Sequence, residues 1–313
     1  MKIKRAYKTE LKPNKAQRRA LSNNAGAARF AFNWGLARKT ETYRLTGKSP
    51  NAIDLHRELN QLKKTEFPWM YEVSKCAPQE ALRDLDRAFS HFYRRMKEKK
   101  EGKLKGKVGY PRFKRKRRGL GFFRLTGAIH VQERRIKLPC LGWMRLKEKG
   151  YLPTDGTEGV HVLSATVSCR ADRWFVSLQV EQEMEVEEAT GPSAGVDLGV
   201  KTLAECSHGN DNHTHYQNPK ALMRGAKKLR RLQKKLARQE KGSNRREETR
   251  KRIARQHYRI SCVRSDAVHK ATSEIVAKAK PRSKRPCVIG VEDLNVSGMM
   301  KNHSLARAVA DVS

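Results

Sequence analysis

Two carboxylates sit in apolar runs that ordinarily exclude charge. Asp197 lies within Ala194-Gly195-Val196-Asp197-Leu198-Gly199-Val200-Lys201, and Glu292 ends the apolar part of Cys287-Val288-Ile289-Gly290-Val291-Glu292-Asp293-Leu294. Each run is one a buried strand could supply, and a charge there is costly unless it is paired or holds a metal. Hard cations such as Mg2+, or Mn2+ in its place, prefer carboxylate oxygens. Two such ions roughly 4 Å apart stabilise the attacking and leaving oxygens of an in-line phosphoryl displacement. The pair therefore points to a phosphodiester-cleaving centre in which Asp197 and Glu292 are the catalytic metal ligands. Gly195 and Gly199 leave room beside Asp197 for backbone or phosphate approach. Taken singly, each acid reads as an ordinary strand-end residue; only the pair carries the chemistry.

The composition supplies the substrate class. The 313 residues hold 69 Lys and Arg against 32 acidic residues, a net charge of +37 spread along the whole chain. Such a chain needs a polyanionic partner, and nucleic acid fits because each cation set on a phosphate releases counterions. Charge alone equally describes an architectural protein without chemistry. The basic start Met1-Lys2-Ile3-Lys4-Arg5 is followed by no apolar signal region, and no stretch has transmembrane length. Six single cysteines at 76, 140, 169, 206, 262 and 287 form no Cys-x-x-Cys, so they read as buried or inert thiols.

The elements that must position the pair follow from periodicity. Lys2 to Leu11 reads as a basic strand that ends at Pro13-Asn14. Three helical stripes follow: Phe32, Leu36 and Tyr43; Leu55, Leu59 and Leu62; and Leu82, Leu85, Phe89, Phe92 and Met96. They predict a helical bundle over residues 14–100. Then Lys105, Lys107, Tyr110, Arg112, Phe113, Lys114, Arg115, Lys116, Arg117 and Arg118 interleave cations with rings. A groove that tracks phosphates while bases stack wants this mixture. From about residue 120 the period becomes two, and strands around 129–146 lead to a hairpin turning at Ala171-Asp172-Arg173. With the first strand this predicts an oligonucleotide-binding-like β-barrel, residues 1–13 and 101–185, interrupted by the bundle. The acidic stretch 186–193 reads as a linker.

Residues 194–313 read as β-β-β-α-α-β. His208, His213 and His215 read as polar turn chemistry with Gly209, Asn210 and Asp211 rather than as metal ligands. Asn218-Pro219 opens a basic helical hairpin over 218–280, turning at Gly242-Ser243-Asn244. Ile253, Ile260, Val263, Ala267 and Ile275 form the apolar side of its second helix, and Lys227, Arg230 and Lys234 are candidate nucleic-acid contacts on its first. The order is that of an RNase H-like fold, in which Asp197 on the first strand and Glu292 at the end of the last lie side by side. The whole chain is thus expected to be a multidomain α+β protein.

These residues resemble a family. Gly195-Val196-Asp197-Leu198-Gly199-Val200-Lys201, Asn218-Pro219-Lys220, Gly290-Val291-Glu292-Asp293-Leu294 and Met299-Met300-Lys301-Asn302 look like the RuvC-like nuclease motifs of TnpB proteins. These are OrfB-type insertion-sequence products, often described as transposases and related to type V CRISPR effectors. Leu11-Lys12-Pro13-Asn14-Lys15-Ala16-Gln17, Gly109-Tyr110-Pro111-Arg112-Phe113-Lys114 and Leu138-Pro139-Cys140-Leu141-Gly142-Trp143 extend the likeness upstream in the family's order. The resemblance implies a wedge-type barrel, a helical recognition domain and a RuvC/RNase H-like α/β domain from residue 194. It implies a guide RNA made from the transposon end, and Mg2+-dependent cleavage of double-stranded DNA beside a short transposon-adjacent motif. It places the protein in the cytoplasm, associated with the nucleoid. The family also carries a zinc ribbon and a third catalytic Asp, and neither motif is in these 313 residues. The nuclease domain is accordingly expected to be incomplete, its third metal ligand absent and its cleavage weak or lost. Two other readings use the same residues: a non-catalytic RNA- or DNA-binding protein, and a DNA transposase proper.

Overall fold

The computed structural model describes residues 1–104, 106–116, 121–184, 188–207, 213–277 and 280–312. The chain forms two compact units, Met1–Met184 and Glu185–Ser313. Both mix helices with sheets. Among the described residues no helix is long and apolar enough to cross a membrane.

The first unit runs β1 (Lys2–Leu11), α1 (Lys15–Thr46), α2 (Ala52–Leu62), a 3-10 turn (Pro68–Glu72) and α3 (Cys76–Lys100). It continues with β2 (Phe122–Leu125), β3 (His130–Gln132), β4 (Arg135–Leu138), β5 (Gly142–Arg145), β6 (Val160–Arg170) and β7 (Arg173–Glu183). Asn14 starts α1 as one half of a capping box: its Oδ1 accepts from the Gln17 N–H at 2.8 Å, and Gln17 Oε1 accepts from the Asn14 N–H at 3.0 Å. The small residues Ala25, Ala28 and Ala31 line the buried face of α1 beside Leu21, Phe32 and Leu36. Leu82, Leu85 and Phe89 of α3 join the same core. Tyr43 and Met96, expected on the apolar stripes, are exposed. Their helices are 32 and 25 residues long and outrun the core they cover.

Two antiparallel sheets complete this unit, one in the order β1-β7-β6-β2 and one in the order β3-β4-β5. The end of β1 ties them together. Leu11 bridges Leu146, and the Lys12 N–H donates to the Arg145 carbonyl at 2.8 Å. Arg170 pairs with Arg173, so the β6–β7 turn is the two residues Ala171 and Asp172, both with positive φ. That is the turn whose twist suits a hairpin, and Arg173 belongs to the strand. Phe123, Leu125, Val167 and Leu178 share one continuous core with the helices.

The second unit contains β8 (Ala194–Leu198), β9 (Thr202–Ser207), β10 (His213–Gln217), α4 (Ala221–Arg238), α5 (Asn244–Ile275), a 3-10 turn (Arg282–Lys284), β11 (Ile289–Val291), α6 (Val296–Met299) and α7 (Ala306–Val312). The sheet order is β10-β9-β8-β11, with β11 parallel to β8 and the other pairs antiparallel. One sheet face buries Ala194, Val196, Ala204, Cys206 and Tyr216 under Ala271 and Ile275 of α5. The other half of α5 packs Ile260 against Leu229 of α4. A Cβ on Gly225 would lie 2.6 Å from Ile260 Cδ1, so this crossing requires glycine. Val263, expected on the apolar side of α5, is exposed, and Ala271 is buried instead. The helix covers two cores in succession, so its apolar stripe does not keep one register.

Residues 188–193 are strapped rather than free. The Gly191 N–H donates to the Arg285 carbonyl at 2.8 Å, and the Cys287 N–H donates to the Gly191 carbonyl at 3.2 Å. A Cβ on Gly191 would come within 2.3 Å of that Arg285 oxygen. The remainder of the expected linker, from 186, begins outside the described residues. All six cysteines are free; Cys76 and Cys206 are buried, and Cys140, Cys262 and Cys287 are exposed. Burial raises the pKa of Cys169 and Cys206.

The hairpin of α4 and α5 starts without a cap of its own, because Lys220 precedes α4 in a left-handed conformation with no side-chain bond. Asp311, on α7, supplies the cap. Its carboxylate accepts from the Leu222 N–H at 2.6 Å and the Met223 N–H at 3.1 Å, and it is fully buried. Charge-assisted bonds to orphan N–H groups at a helix start are stabilising. Asp311→Ala is therefore expected to lower stability by about 2 kcal/mol, and Asp311→Asn by less. Urea unfolding followed by circular dichroism checks both.

Candidate carboxylate centre and nucleic-acid interface

Alternation along β8 sets Asp197 on the face opposite Val196, away from the buried side. The parallel ladder pairs Ile289 with Ala194, Gly290 with Gly195 and Val291 with Val196. The ladder ends at that pair; Asp197 in β8 and Glu292, just past the end of β11, are each the next residue in sequence, and neighbouring strands lie about 4.8 Å apart. Both acids are exposed. Neither carboxylate has a hydrogen-bond or ion-pair partner among the described residues. Sequence-distant acids are thus brought to one edge of one sheet.

A third carboxylate faces this pair across the sheet. Asp197 is directly opposite Glu205 on β9, and Glu205 is directly opposite His215 on β10. Glu205 is already engaged: Thr202 Oγ1 donates to it at 3.2 Å, and His215 Nδ1 lies 3.3 Å from it. His213 and His215 lie on β10, where residue order places a third strand around His213 to Gln217, and His208 lies outside the described residues. Only the pairing register shows that Glu205 stands in the row, because its position depends on the length of the β8–β9 turn.

Among the described residues no group of three or more His, Cys, Asp or Glu could hold a metal ion. Asp197 and Glu292 still fit a hard cation, since Mg2+ is commonly held by one or two carboxylates while water and substrate phosphates complete its shell. Their free carboxylates are the donor type such a cation takes.

The expected nucleic-acid residues fall into two sets. In the first unit, residues 106–116 lie along α1. Asn33 fixes the segment at both backbone groups of Lys114: its Oδ1 accepts from the N–H at 2.8 Å, and its Nδ2 donates to the carbonyl at 2.9 Å. Tyr110 meets Phe89 and Phe92 edge-on with ring centroids 5.4 and 5.3 Å away, and its hydroxyl lies 3.3 Å from Thr40 Oγ1. Lys114 is turned inward, its ammonium 3.8 Å from the centre of the Phe32 ring. Burial lowers its pKa, and Asp84 opposes that shift. It therefore serves packing rather than a phosphate, because its position inside the run is the anchored one. Lys107, Arg112, Phe113, Arg115 and Lys116 are exposed, and Tyr110 is half-exposed. Lys105, Arg117 and Arg118 lie outside the described residues.

In the second unit, Lys227, Arg230 and Lys234 project from the exposed side of α4 at a spacing that repeats on one helical face. The helix carries eight cations and no acid in its 18 residues. No ion pair involves it among the described residues.

With this geometry in view, three comparisons bear on the chain's kinship. A family described as "Probable transposase" (OrfB of IS605) matches residues 176–303, and its "Helix-turn-helix domain" matches residues 1–48. In the structure those 48 residues are a strand and one unbroken helix, Lys15–Thr46, with no turn within it. The "Putative RNA-guided DNA endonuclease InsQ" of Escherichia coli K12 is 34% identical over 307 residues, 96% of this chain and 69% of the relative. The "Putative RNA-guided DNA endonuclease MT2953" of Mycobacterium tuberculosis is 30% identical over 331 residues, 97% and 69%. A solved Cas12f1–sgRNA–target DNA complex aligns at a TM-score of 0.31 and 13% identity, covering 99% of this chain and 81% of that one. The chain belongs to the TnpB/OrfB family of insertion-sequence proteins.

The pinning of the basic segment gives a direct test. Asn33→Ala removes both bonds to Lys114 and is expected to lower stability by about 1–3 kcal/mol. Lys114→Met keeps the packing on Phe32 without a desolvated charge and is expected to leave the urea midpoint unchanged or raised.

Proposed function

We propose that this chain is a transposon-encoded, RNA-guided DNA endonuclease with a divalent-metal centre at Asp197 and Glu292. The observation that carries the reading is the parallel β8–β11 register: its last pair is Val291 with Val196, and one of these acids follows on each strand, which supports their meeting at one strand end. The strand order β10-β9-β8-β11 supports an RNase H/RuvC-like domain. The β1 strand that serves both sheets supports a wedge-type barrel with α1–α3 as its recognition insertion. The relatives named as RNA-guided DNA endonucleases support a guide RNA and a double-stranded DNA target.

A bound Mg2+ or Mn2+ would supply Lewis-acid stabilisation of the phosphoryl oxygens. Asp197 and Glu292 would hold it from adjacent strands, and their exposure leaves its remaining positions to water and a scissile phosphate. The Glu205 carboxylate, occupied by Thr202 and His215, stays beside the centre as a spectator charge. The exposed cations of residues 107–116 and of α4 would carry phosphate contacts, with Lys227, Arg230 and Lys234 forming one stripe. Base pairing with the guide would supply sequence specificity.

The test uses purified chain, guide RNA and matched DNA with Mg2+. Asp197→Ala and Glu292→Ala are each expected to reduce cleavage by at least about a hundredfold, roughly 3 kcal/mol of transition-state stabilisation, while nucleic-acid affinity changes less than about twofold. Cleavage that survives Asp197→Ala sinks the assignment. Guide-dependent binding with no metal-dependent cutting by the parent chain identifies the alternative, a protein that binds nucleic acid without chemistry.

A further inference from the structure

A cavity of about 750 Å3 opens between the flank of α1 and the pinned segment 110–115. Thr40 and Arg44 of α1 form one wall; Tyr110, Arg112, Phe113 and Arg115 form the other. The walls are built rather than incidental. Tyr110 is wedged against Phe89 and Phe92 and reaches Thr40, and Asn33 locks the backbone at Lys114. Phe113, by contrast, leaves 55% of its surface exposed. An exposed ring on a fixed backbone stays available, because the backbone entropy has already been spent in folding.

The charge around this ring is uncompensated. Arg44, Arg112 and Arg115 are exposed, and none has a carboxylate partner among the described residues. The single acid on the wall, Glu41, already accepts from Arg38 at 3.1 Å. Three free guanidiniums beside a free aromatic face match one chemistry: phosphates next to an unstacked base. Guanidinium forks suit phosphate oxygens, and a ring stacks on any base whose face is open. A base inside a duplex has both faces covered, so the ring can select against paired strands. The volume is that of a small-molecule site rather than of a duplex groove.

We propose that this cavity binds an unpaired nucleotide of a single strand, its base on Phe113 and its flanking phosphates on Arg44, Arg112 and Arg115. This rests on the reading of the chain as a nucleic-acid-binding protein. It adds a strand-selective pocket and brings in Arg44 and Thr40, which the interleaved run of cations and rings does not include.

The full chain is titrated by fluorescence anisotropy with one labelled sequence as single-stranded RNA, single-stranded DNA and blunt DNA duplex. Phe113→Ala is expected to weaken binding of at least one single strand by about tenfold, as loss of one base–ring stack does, and of the duplex by less than twofold. Phe113→Trp restores the affinity, and Arg44→Gln lowers the salt slope by about one counterion. The RNA and DNA arms tell which sugar the pocket accepts. An unchanged thermal midpoint for Phe113→Ala is expected from the exposure of the ring, and a fallen one is met by reading Phe113→Leu in its place. If the parent chain binds but the ring variants leave strands and duplex equally affected or unaffected, the pocket is overturned and the nucleic-acid reading stands. If the parent chain binds none of the three probes, both fall.

Discussion

β11 lies parallel to β8, held by three in-register pairs, although two helices of the hairpin and most of the second unit intervene. A parallel pair cannot close through a short turn, so its register must come from what packs around it. Here α5 does much of that work. Its first half is fixed to α4 through Ile260, and its second half lies on the buried sheet face through Ala271 and Ile275. Arg285 and Cys287, just before β11, are tied to Gly191, just before β8, by two backbone bonds. The strands are thus clamped at their starts, and a slip of β8 by one residue would turn Val196 off the buried face. The register that leads up to Asp197 and Glu292 depends on that clamp.

The clamp has to operate in a chain with net charge +37, where self-repulsion opposes compaction. The structure sorts its cations by what they do. Lys39 is buried, 2.8 Å from Asp86 and stacked on the Phe89 ring at 5.3 Å. Lys114 is half-buried, its ammonium over the Phe32 ring. On α5, Arg250 and Arg252 are answered within the helix by Glu247 and Glu248, pairs worth only a few tenths of a kcal/mol each when so exposed. On α4 the eight cations form no ion pair among the described residues. An exposed, unpaired stripe gains nothing in the isolated fold, whereas a polyanion laid along it would relieve the repulsion and release counterions. The same contrast separates Lys114 from Arg112 and Arg115, though all three belong to one run.

Much of this was legible in residue order. The apolar runs around Asp197 and Glu292 identified strands, and the β-β-β-α-α-β order made the first and last of them neighbours, as β8 and β11 are. Pro13-Asn14 marked the end of β1, while the capping box of Asn14 and Gln17 that starts α1 went unread although it is local by nature. What was not legible depends on distance. Asp311 caps α4 from the far end of the unit, and a pattern at Asn218-Pro219 cannot reveal it. Lys114 sits in a run of identical charges, so only the Phe32 ring beneath it shows which cation turns inward. Val263 and Ala271 exchanged places because α5 changes partners midway, and periodicity assumes one partner. Glu205 and His215 went unrecognised because cross-strand opposition follows from turn lengths rather than from residue types.

That last pair of residues bears on why the centre can stay open. Carboxylates directly opposite on adjacent strands repel, and Asp197 faces Glu205 in this way. The sheet does not answer by pairing Asp197. It gives Glu205 a hydroxyl donor from Thr202 on its own strand and an imidazole from His215 on β10, the strand away from Asp197. The neighbour is thereby oriented and its charge partly spread outward, while Asp197 and Glu292 keep every carboxylate oxygen free. Had the fold placed a lysine or arginine opposite Asp197, the repulsion would be gone and so would the vacancy a cation needs. In so basic a chain, neither acid has a cationic partner among the described residues, and both carboxylates stay exposed at the surface of the sheet.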